Sequence, residues 1–190
     1  MGRLSRQMFD FRDYVELEEI AGVKHEFLDG EVWAMSGGSP RHAALAATII
    51  RLLGQAVAGR PCQVFSADLR IRASRTGLGT YPDATVVCSK LELDPADPRG
   101  HTVTNPTVIV EVLSPSTESY DRGEKLAHYK RIDSLREVLL VAHDEHRVDL
   151  WRRVGDLWTQ LSFRPGEAVV LDSLGCALAV DELYADPLGA

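Results

Sequence analysis

The spacing of apolar and polar positions along the chain predicts a mixture of helices and short strands. A possible N-cap at Asp10 precedes a stretch with apolar residues at helical intervals. A long Ala-rich stretch begins at Pro40, a residue that suits the first turn of a helix. The predicted helices cover residues 11–20, 40–58 and a third segment that begins at Ser119 or Asp121 and ends near Ile132.

Apolar runs bounded by turn residues predict the strands. Asp29-Gly30 separates two of these runs and is a strong signal for a hairpin. The last three runs are expected to form an antiparallel meander. The predicted strands cover residues 25–28, 31–35, 62–66, 69–73, 81–88, 108–113, 136–143, 147–153 and 157–163.

The order of these elements predicts an α/β (mixed α+β) fold, in which helices pack on the faces of a central mixed sheet. The 190 residues suit a single domain with a full hydrophobic core. We expect that core to lie within about residues 10–165, with extensions at both ends, because no linker divides the chain.

The net charge and the lengths of the apolar runs limit the kinds of partner that the protein is expected to bind. A net charge of −7 counts against a general nucleic-acid binder, because affinity for phosphate comes largely from Lys and Arg. It does not exclude a nuclease, whose acidic metal ligands add negative charge. No apolar run approaches the ~20 residues of a membrane span, and residues 1–8 include no apolar segment typical of a signal peptide. A cytoplasmic protein with no membrane partner is expected.

The three cysteines are Cys62, Cys88 and Cys176, which lie far apart in the sequence. Their number is odd, and their spacing matches neither a zinc site nor a disulfide framework. We therefore expect three reduced, buried thiols.

Two carboxylates in apolar strands are the main candidates for chemistry. Asp83 follows Pro82 at the beginning of one predicted strand, and Glu111 is the only charged residue between Val108 and Leu113. A buried carboxylate is costly unless a cation pairs with it. Two of them on neighbouring strands therefore predict a shared Mg²⁺ or Mn²⁺ ion, which could activate a water for hydrolysis of a phosphodiester.

Other interpretations of these carboxylates remain open from the residues alone. Asp83 could cap a turn, and Glu111 could form a buried ion pair with Arg70, Arg72 or Lys125. A carbohydrate hydrolase that uses both carboxylates would need a suitable separation between them. A serine hydrolase is not expected, because no Gly-x-Ser-x-Gly motif is present.

Several motifs together resemble the Uma-two family of bacterial putative restriction endonucleases, which belongs to the PD-(D/E)xK superfamily. The resemblance extends from about Phe11 to Phe163. Its most specific part is the run Glu-Val-Leu-Ser-Pro-Ser-Thr followed by Asp-Arg and Lys. The motifs are Glu26-Phe27-Leu28-Asp29-Gly30-Glu31, Pro82-Asp83, Val110-Glu111-Val112-Leu113-Ser114-Pro115-Ser116-Thr117 and Asp121-Arg122-Gly123-Glu124-Lys125.

The resemblance implies a restriction-endonuclease-like fold with a metal site at one edge of the sheet. Asp83 and Glu111 would bind the metal, and Glu26 would be the acidic residue of the N-terminal element. The superfamily pattern has a Lys two residues after the Glu, where this chain has Leu113. The resemblance implies that Lys125, on the following helix, replaces that Lys.

The sequence thus predicts a Mg²⁺- or Mn²⁺-dependent endonuclease that cleaves DNA, with Glu26, Asp83, Glu111 and Lys125 as catalytic residues. Further candidates for substrate contact are His42, Arg70 and Arg72. The alternative is a non-catalytic binding or scaffold protein on the same fold, with a structural or vestigial metal site. A homodimer is possible, with an interface on the strands from Leu157 onward.

Overall fold

The computed structural model describes residues 8–186. The described part leaves out residues 1–7 and 187–190. The prediction that residues 1–8 are not a signal peptide therefore lies mostly outside it. None of the helices within residues 8–186 has the length and hydropathy that a membrane span requires. The helices are α1 (Phe11–Ile20), α2 (Pro40–Ala56), α3 (Glu118–Tyr120), α4 (Leu126–Tyr129) and α5 (Val180–Leu183), and a π-helical turn (Asp121–Lys125) joins α3 to α4.

The strands form two larger sheets and a two-stranded ribbon. The five-stranded sheet has the order β2-β1-β5-β4-β7, the six-stranded sheet has the order β11-β10-β9-β8-β6-β3, and β12 pairs with β13. The strands are β1 (His25–Leu28), β2 (Glu31–Ala34), β3 (Gln63–Ser66), β4 (Arg70–Arg72), β5 (Gly79–Thr80), β6 (Ala84–Val87), β7 (Thr102–Val103), β8 (Val108–Val112), β9 (Glu137–Val141), β10 (Val148–Val154), β11 (Leu157–Phe163), β12 (Ala168–Leu171) and β13 (Cys176–Ala179).

Both larger sheets are mixed, which confirms the predicted fold class. In the six-stranded sheet β8 and β9 are parallel and the other pairs are antiparallel. In the five-stranded sheet only β4 and β7 are parallel. The predicted hairpin is β1–β2, with Asp29 and Gly30 both at positive φ in the turn. Positive φ at both central residues is what a tight hairpin turn requires.

The central strand β8 separates two hydrophobic clusters. Val108, Val110 and Val112 belong to the cluster that packs under α2. Ile109 and Leu113 belong to the cluster that packs under α4. Because side chains alternate along a strand, Glu111 lies on the same face as Ile109 and is directed toward α4.

The C-terminal segment is part of the main core. We expected the core to end near residue 165, but β12, β13 and α5 pack into the cluster under α2. Val169 and Leu171 from β12 and Leu183 from α5 are all completely buried. The structure therefore extends the core to the last elements of the described chain.

The prediction of three reduced thiols was wrong. Cys62 and Cys88 form a disulfide, and Cys176 is free. Gln63 pairs with Val87 at the ends of β3 and β6, so the next residues outward, Cys62 and Cys88, face each other across the strand pair. The sequence separation of 26 residues concealed this proximity, because it depends on how β3 and β6 pair.

Candidate active site

A cavity of about 480 Å³ brings together the carboxylates that the sequence singled out. Residues from both larger sheets, from the beginning of α2 and from the π-helical turn line it. Glu26, Asp83, Glu111 and Lys125 all contribute, and so does His42. The structure thus assembles four predicted catalytic residues and one predicted substrate contact around one space.

The register of β6 and β8 explains why Asp83 and Glu111 meet. Ala84 pairs with Val110 in this antiparallel pair. Extending the register by one residue on each strand places Asp83 opposite Glu111. Directly opposed residues of an antiparallel pair share a face of the sheet, and both of these carboxylates line the cavity.

The backbone at the end of β8 fixes Asp83. The amide of Val112 donates a hydrogen bond of 2.7 Å to Oδ2 of Asp83. Nε2 of His42 lies 3.3 Å from the same oxygen. His42 is held there by the N-terminus of α2, where the side chain of Ser39 accepts a hydrogen bond from the His42 amide. The hydrogen bond with Asp83 is the main reason that the pKa of His42 is raised.

Lys125 is buried among three carboxylates. Its Nζ lies 2.8 Å from Oε1 of Glu26, 3.0 Å from Oε1 of Glu111 and 3.5 Å from Oδ1 of Asp121. Burial alone lowers the pKa of Lys125, but Glu111 and the other acidic neighbours outweigh it, so the pKa is well above its usual value. The ammonium group is therefore charged, and it joins the N-terminal hairpin to β8.

Glu111 is almost fully buried, with an exposed fraction of 5%. The hydroxyl of Tyr129 donates a hydrogen bond to its Oε1. Burial raises the pKa of Glu111 to about 8, Lys125 opposes that rise, and the negative charges of Asp83 and Asp121 add to it. One Lys among several acids leaves an excess of negative charge, which a further cation would relieve.

Asp83 and Glu111 could hold a Mg²⁺ or Mn²⁺ ion through one carboxylate oxygen each. The hydrogen bonds and ion pairs found among residues 8–186 use Oδ2 of Asp83 and Oε1 of Glu111, so Oδ1 and Oε2 remain for a ligand. Within the described chain, no group of three or more His, Cys, Asp and Glu side chains is placed to hold a metal ion. Mg²⁺ commonly takes only one or two carboxylates and completes its shell with water and substrate.

Sequence reasoning missed three supporting side chains. Asp121 was considered as a helix start and as part of a family motif but was given no role in the site, although it contacts Lys125 from the same π-helical turn. Tyr129 donates a hydrogen bond to Glu111 and the hydroxyl of Thr80 donates one to Glu26, and neither residue was among the candidates. The spacing of four residues from Asp121 to Lys125 and from Lys125 to Tyr129 was the available signal.

Arg70 and Arg72, predicted to contact substrate, lie elsewhere. Arg70 is 2% exposed and forms an ion pair of 3.0 Å with Asp97. Arg72 forms an ion pair of 3.1 Å with Asp94, and its guanidinium lies over the ring of Phe11. Neither residue lines the cavity. Contact with substrate would need free guanidinium groups, but the buried acids Asp97 and Asp94 pair with both residues.

Known proteins resemble this chain over most of its length. A profile of the Uma2 family, described as "Putative restriction endonuclease", matches residues 11–181. The uncharacterized protein slr1290 of Synechocystis sp. (strain ATCC 27184 / PCC 6803 / Kazusa) is 36% identical over 174 residues, which cover 90% of this chain and 89% of slr1290. The uncharacterized protein sll1609 of the same strain is 33% identical over 155 residues, which cover 82% and 86% of the two chains.

A solved structure shares the fold. It is the crystal structure of a putative nuclease belonging to DUF820 from Anabaena variabilis ATCC 29413. The TM-score is 0.71 at 18% sequence identity, over 90% of this chain and 97% of that one. The expected fold is thereby confirmed. With the family profile matched from residue 11 to residue 181, the chain belongs to the Uma2 family of putative restriction endonucleases.

Proposed function

We propose that this protein is a Mg²⁺- or Mn²⁺-dependent endonuclease that hydrolyses phosphodiester bonds of DNA. The observation that carries the proposal is the placement of Asp83 opposite Glu111 at the wall of one cavity, with Lys125 in contact with Glu111. Two acids can hold a metal ion and a Lys can stabilise negative charge on a phosphate, which suits this set to metal-assisted phosphodiester hydrolysis.

Each residue of the cluster has a distinct part in this proposal. Oδ1 of Asp83 and Oε2 of Glu111 would hold the metal, which when bound supplies Lewis acidity and an activated water. Lys125 would stabilise the negative charge that develops on the phosphate. Glu26 contacts Lys125 rather than the metal pair, so it would position the ammonium group, with the hydroxyl of Thr80 orienting Glu26 in turn.

A nicking assay tests this proposal. Purified protein with Mn²⁺ should convert supercoiled plasmid to the open circle. Asp83→Ala should reduce the rate by on the order of 100-fold or more, because loss of a metal ligand would remove the cation that stabilises transition-state charge. Asp68→Ala is the matched control, because the side chain of Asp68 is 86% exposed and its partners among residues 8–186 are Lys24 and Ser66. Equal nicking by wild type and Asp83→Ala would refute the proposal.

The alternative is a non-catalytic protein on the same fold. Its support is that Lys125 pairs with Glu26, Glu111 and Asp121, so a protein side chain already supplies a buried cation to these acids. A metal-dependent nuclease and a protein with a structural ion should both bind Mn²⁺, whereas a protein with a vestigial site should not. Mn²⁺ should raise the melting temperature of the wild type by mass action and leave that of Asp83→Ala unchanged. The absence of a shift at millimolar Mn²⁺ would favour an ion-pair cluster with only a structural role.

A further inference from the structure

Trp33 stands beside the candidate active site with much of its surface uncovered. It lies on β2, directly opposite Glu26 of β1, so the two side chains share a face of the hairpin. Glu26 contacts Lys125 and Trp33 lines the same cavity, yet Trp33 is 44% exposed. A large aromatic side chain next to a polar site is suited to stack on a planar group of a ligand.

The other two tryptophans are covered by cations. Lys130 lies 3.2 Å from the ring centroid of Trp151, and Arg153 lies 4.9 Å from that of Trp158. Among residues 8–186, no ring or cation contact of this kind is found for Trp33. Its indole face is therefore available to a ligand in a way that those of Trp151 and Trp158 are not.

The charge of the cavity disfavours recognition through many phosphates. Within the described chain, Lys125 is the only Lys or Arg that lines the cavity, and its ammonium group is already shared by three carboxylates. Proteins that grip duplex DNA do so through several Lys and Arg contacts to phosphate. Stacking of a base on an aromatic ring supplies affinity without such contacts.

The size of the cavity also favours a substrate that is bound through one base rather than through many phosphates. A volume of about 480 Å³ lies in the range of pockets that enclose a single small ligand. One nucleotide is a ligand of that size. In a duplex the faces of each base are covered by its neighbours, whereas an unpaired base exposes a face that a protein ring can cover.

We propose that the cavity takes an unpaired DNA strand, with Trp33 stacked on a base next to the phosphate that is cleaved. This inference rests on the proposed nuclease function and narrows its substrate to single-stranded or locally unpaired DNA. Trp33 would then be a substrate-binding residue that selects unpaired DNA, while Asp83, Glu111 and Lys125 would carry out the hydrolysis.

Binding tests the inference independently of cleavage. Wild-type protein in EDTA is titrated with a fluorescently labelled single-stranded oligonucleotide and with its duplex, and anisotropy and tryptophan emission are recorded. Trp33→Leu should weaken single-strand binding on the order of tenfold, and Trp33→Phe, which keeps a ring, should retain most of the affinity. Trp158→Leu is the matched control and should bind like the wild type. Equal affinity of Trp33→Leu and wild type, or no single-strand binding by the wild type, would overturn the inference.

Cleavage provides the second readout. With Mn²⁺, a duplex that contains an internal unpaired stretch should be cut within that stretch, and the fully paired duplex of the same length should be cut much more slowly. Equal cutting of both would overturn the inference and leave the nuclease proposal intact. If the wild type cuts no DNA, the nuclease proposal fails, while the binding titration still decides whether Trp33 stacks on an unpaired strand.

Discussion

At the scale of single residues, Lys125 is the buried cation that three carboxylates at the candidate site share. Its ammonium group is within 3.5 Å of carboxylate oxygens from Glu26, Glu111 and Asp121. A buried ion pair contributes modest stability when intact, but removing one partner leaves an uncompensated charge. Lys125 therefore supports both the stability of the site and its proposed chemistry.

Lys125→Met should destabilise the protein by about 3–5 kcal/mol, because three acids would then lack their buried cation. Urea unfolding at neutral pH measures the change. Lys24→Met is the control, because the Lys24 side chain is 41% exposed, its partner Asp68 lies on the surface, and exposed pairs contribute about 0–1 kcal/mol. A loss for Lys125→Met no greater than that for Lys24→Met would contradict the buried network.

Sequence patterns predicted the residues of this cluster better than they predicted its geometry. The family motifs named Glu26, Asp83, Glu111 and Lys125, and the structure assembles all four around one cavity. The positions of Arg70 and Arg72 were not predictable in the same way. Their partners, Asp97 and Asp94, come from a loop whose path depends on the packing of the five-stranded sheet.

At the scale of elements, local signals determined the helices most reliably. The predicted bounds of α1 agree with the structure because a capping box of Asp10 and Asp13 fixes its beginning. The third predicted helix is interrupted by the π-helical turn Asp121–Lys125, which periodicity did not indicate. Such turns occur frequently at functional sites, and this one presents both Asp121 and Lys125 to the cavity.

Gly123 within the π-helical turn offers a test of this element. Apart from the adjoining residues and the backbone of its own helix, no heavy atom of the described chain lies within 4 Å of a Cβ added there. Gly123→Ala should therefore be tolerated and should stabilise the helix by up to about 1 kcal/mol. Gly79→Ala on β5 is the opposing control, because its Cβ would lie 2.8 Å from the ring of Phe11. Thermal melting should rise for the first variant and fall for the second. A lower melting temperature for Gly123→Ala would show that the turn depends on glycine.

At the scale of the whole molecule, contacts between distant segments were the features that sequence reasoning missed. The burial of β12 and α5 and the disulfide both depend on tertiary packing rather than on local periodicity. The predicted homodimer also belongs to this scale and stays a prediction. The outer strand β11 carries the exposed Leu157 and Leu161, and sedimentation of the purified protein would establish its mass in solution.

The disulfide should contribute measurably to global stability. In the chain-entropy description, a loop of 26 residues corresponds to about 3.5 kcal/mol of restricted unfolded-state freedom. Replacement of Cys62 and Cys88 by Ser should therefore lower the free energy of unfolding by up to that amount in urea titrations. Cys176→Ser is the control and should cause a much smaller change. Equal stability of the double variant and the wild type would mean that the bond contributes nothing.

The covalent link at one end of β6 also constrains the carboxylate at its other end. Asp83 immediately precedes β6 and Cys88 immediately follows it. A slip of one position would turn every side chain of a strand to the opposite side, and Asp83 would then face away from Glu111. Because Cys88 is bonded to Cys62, such a slip would have to drag β3 along with it. The disulfide thus restricts the register of β6 and keeps the side chain of Asp83 directed toward the cavity.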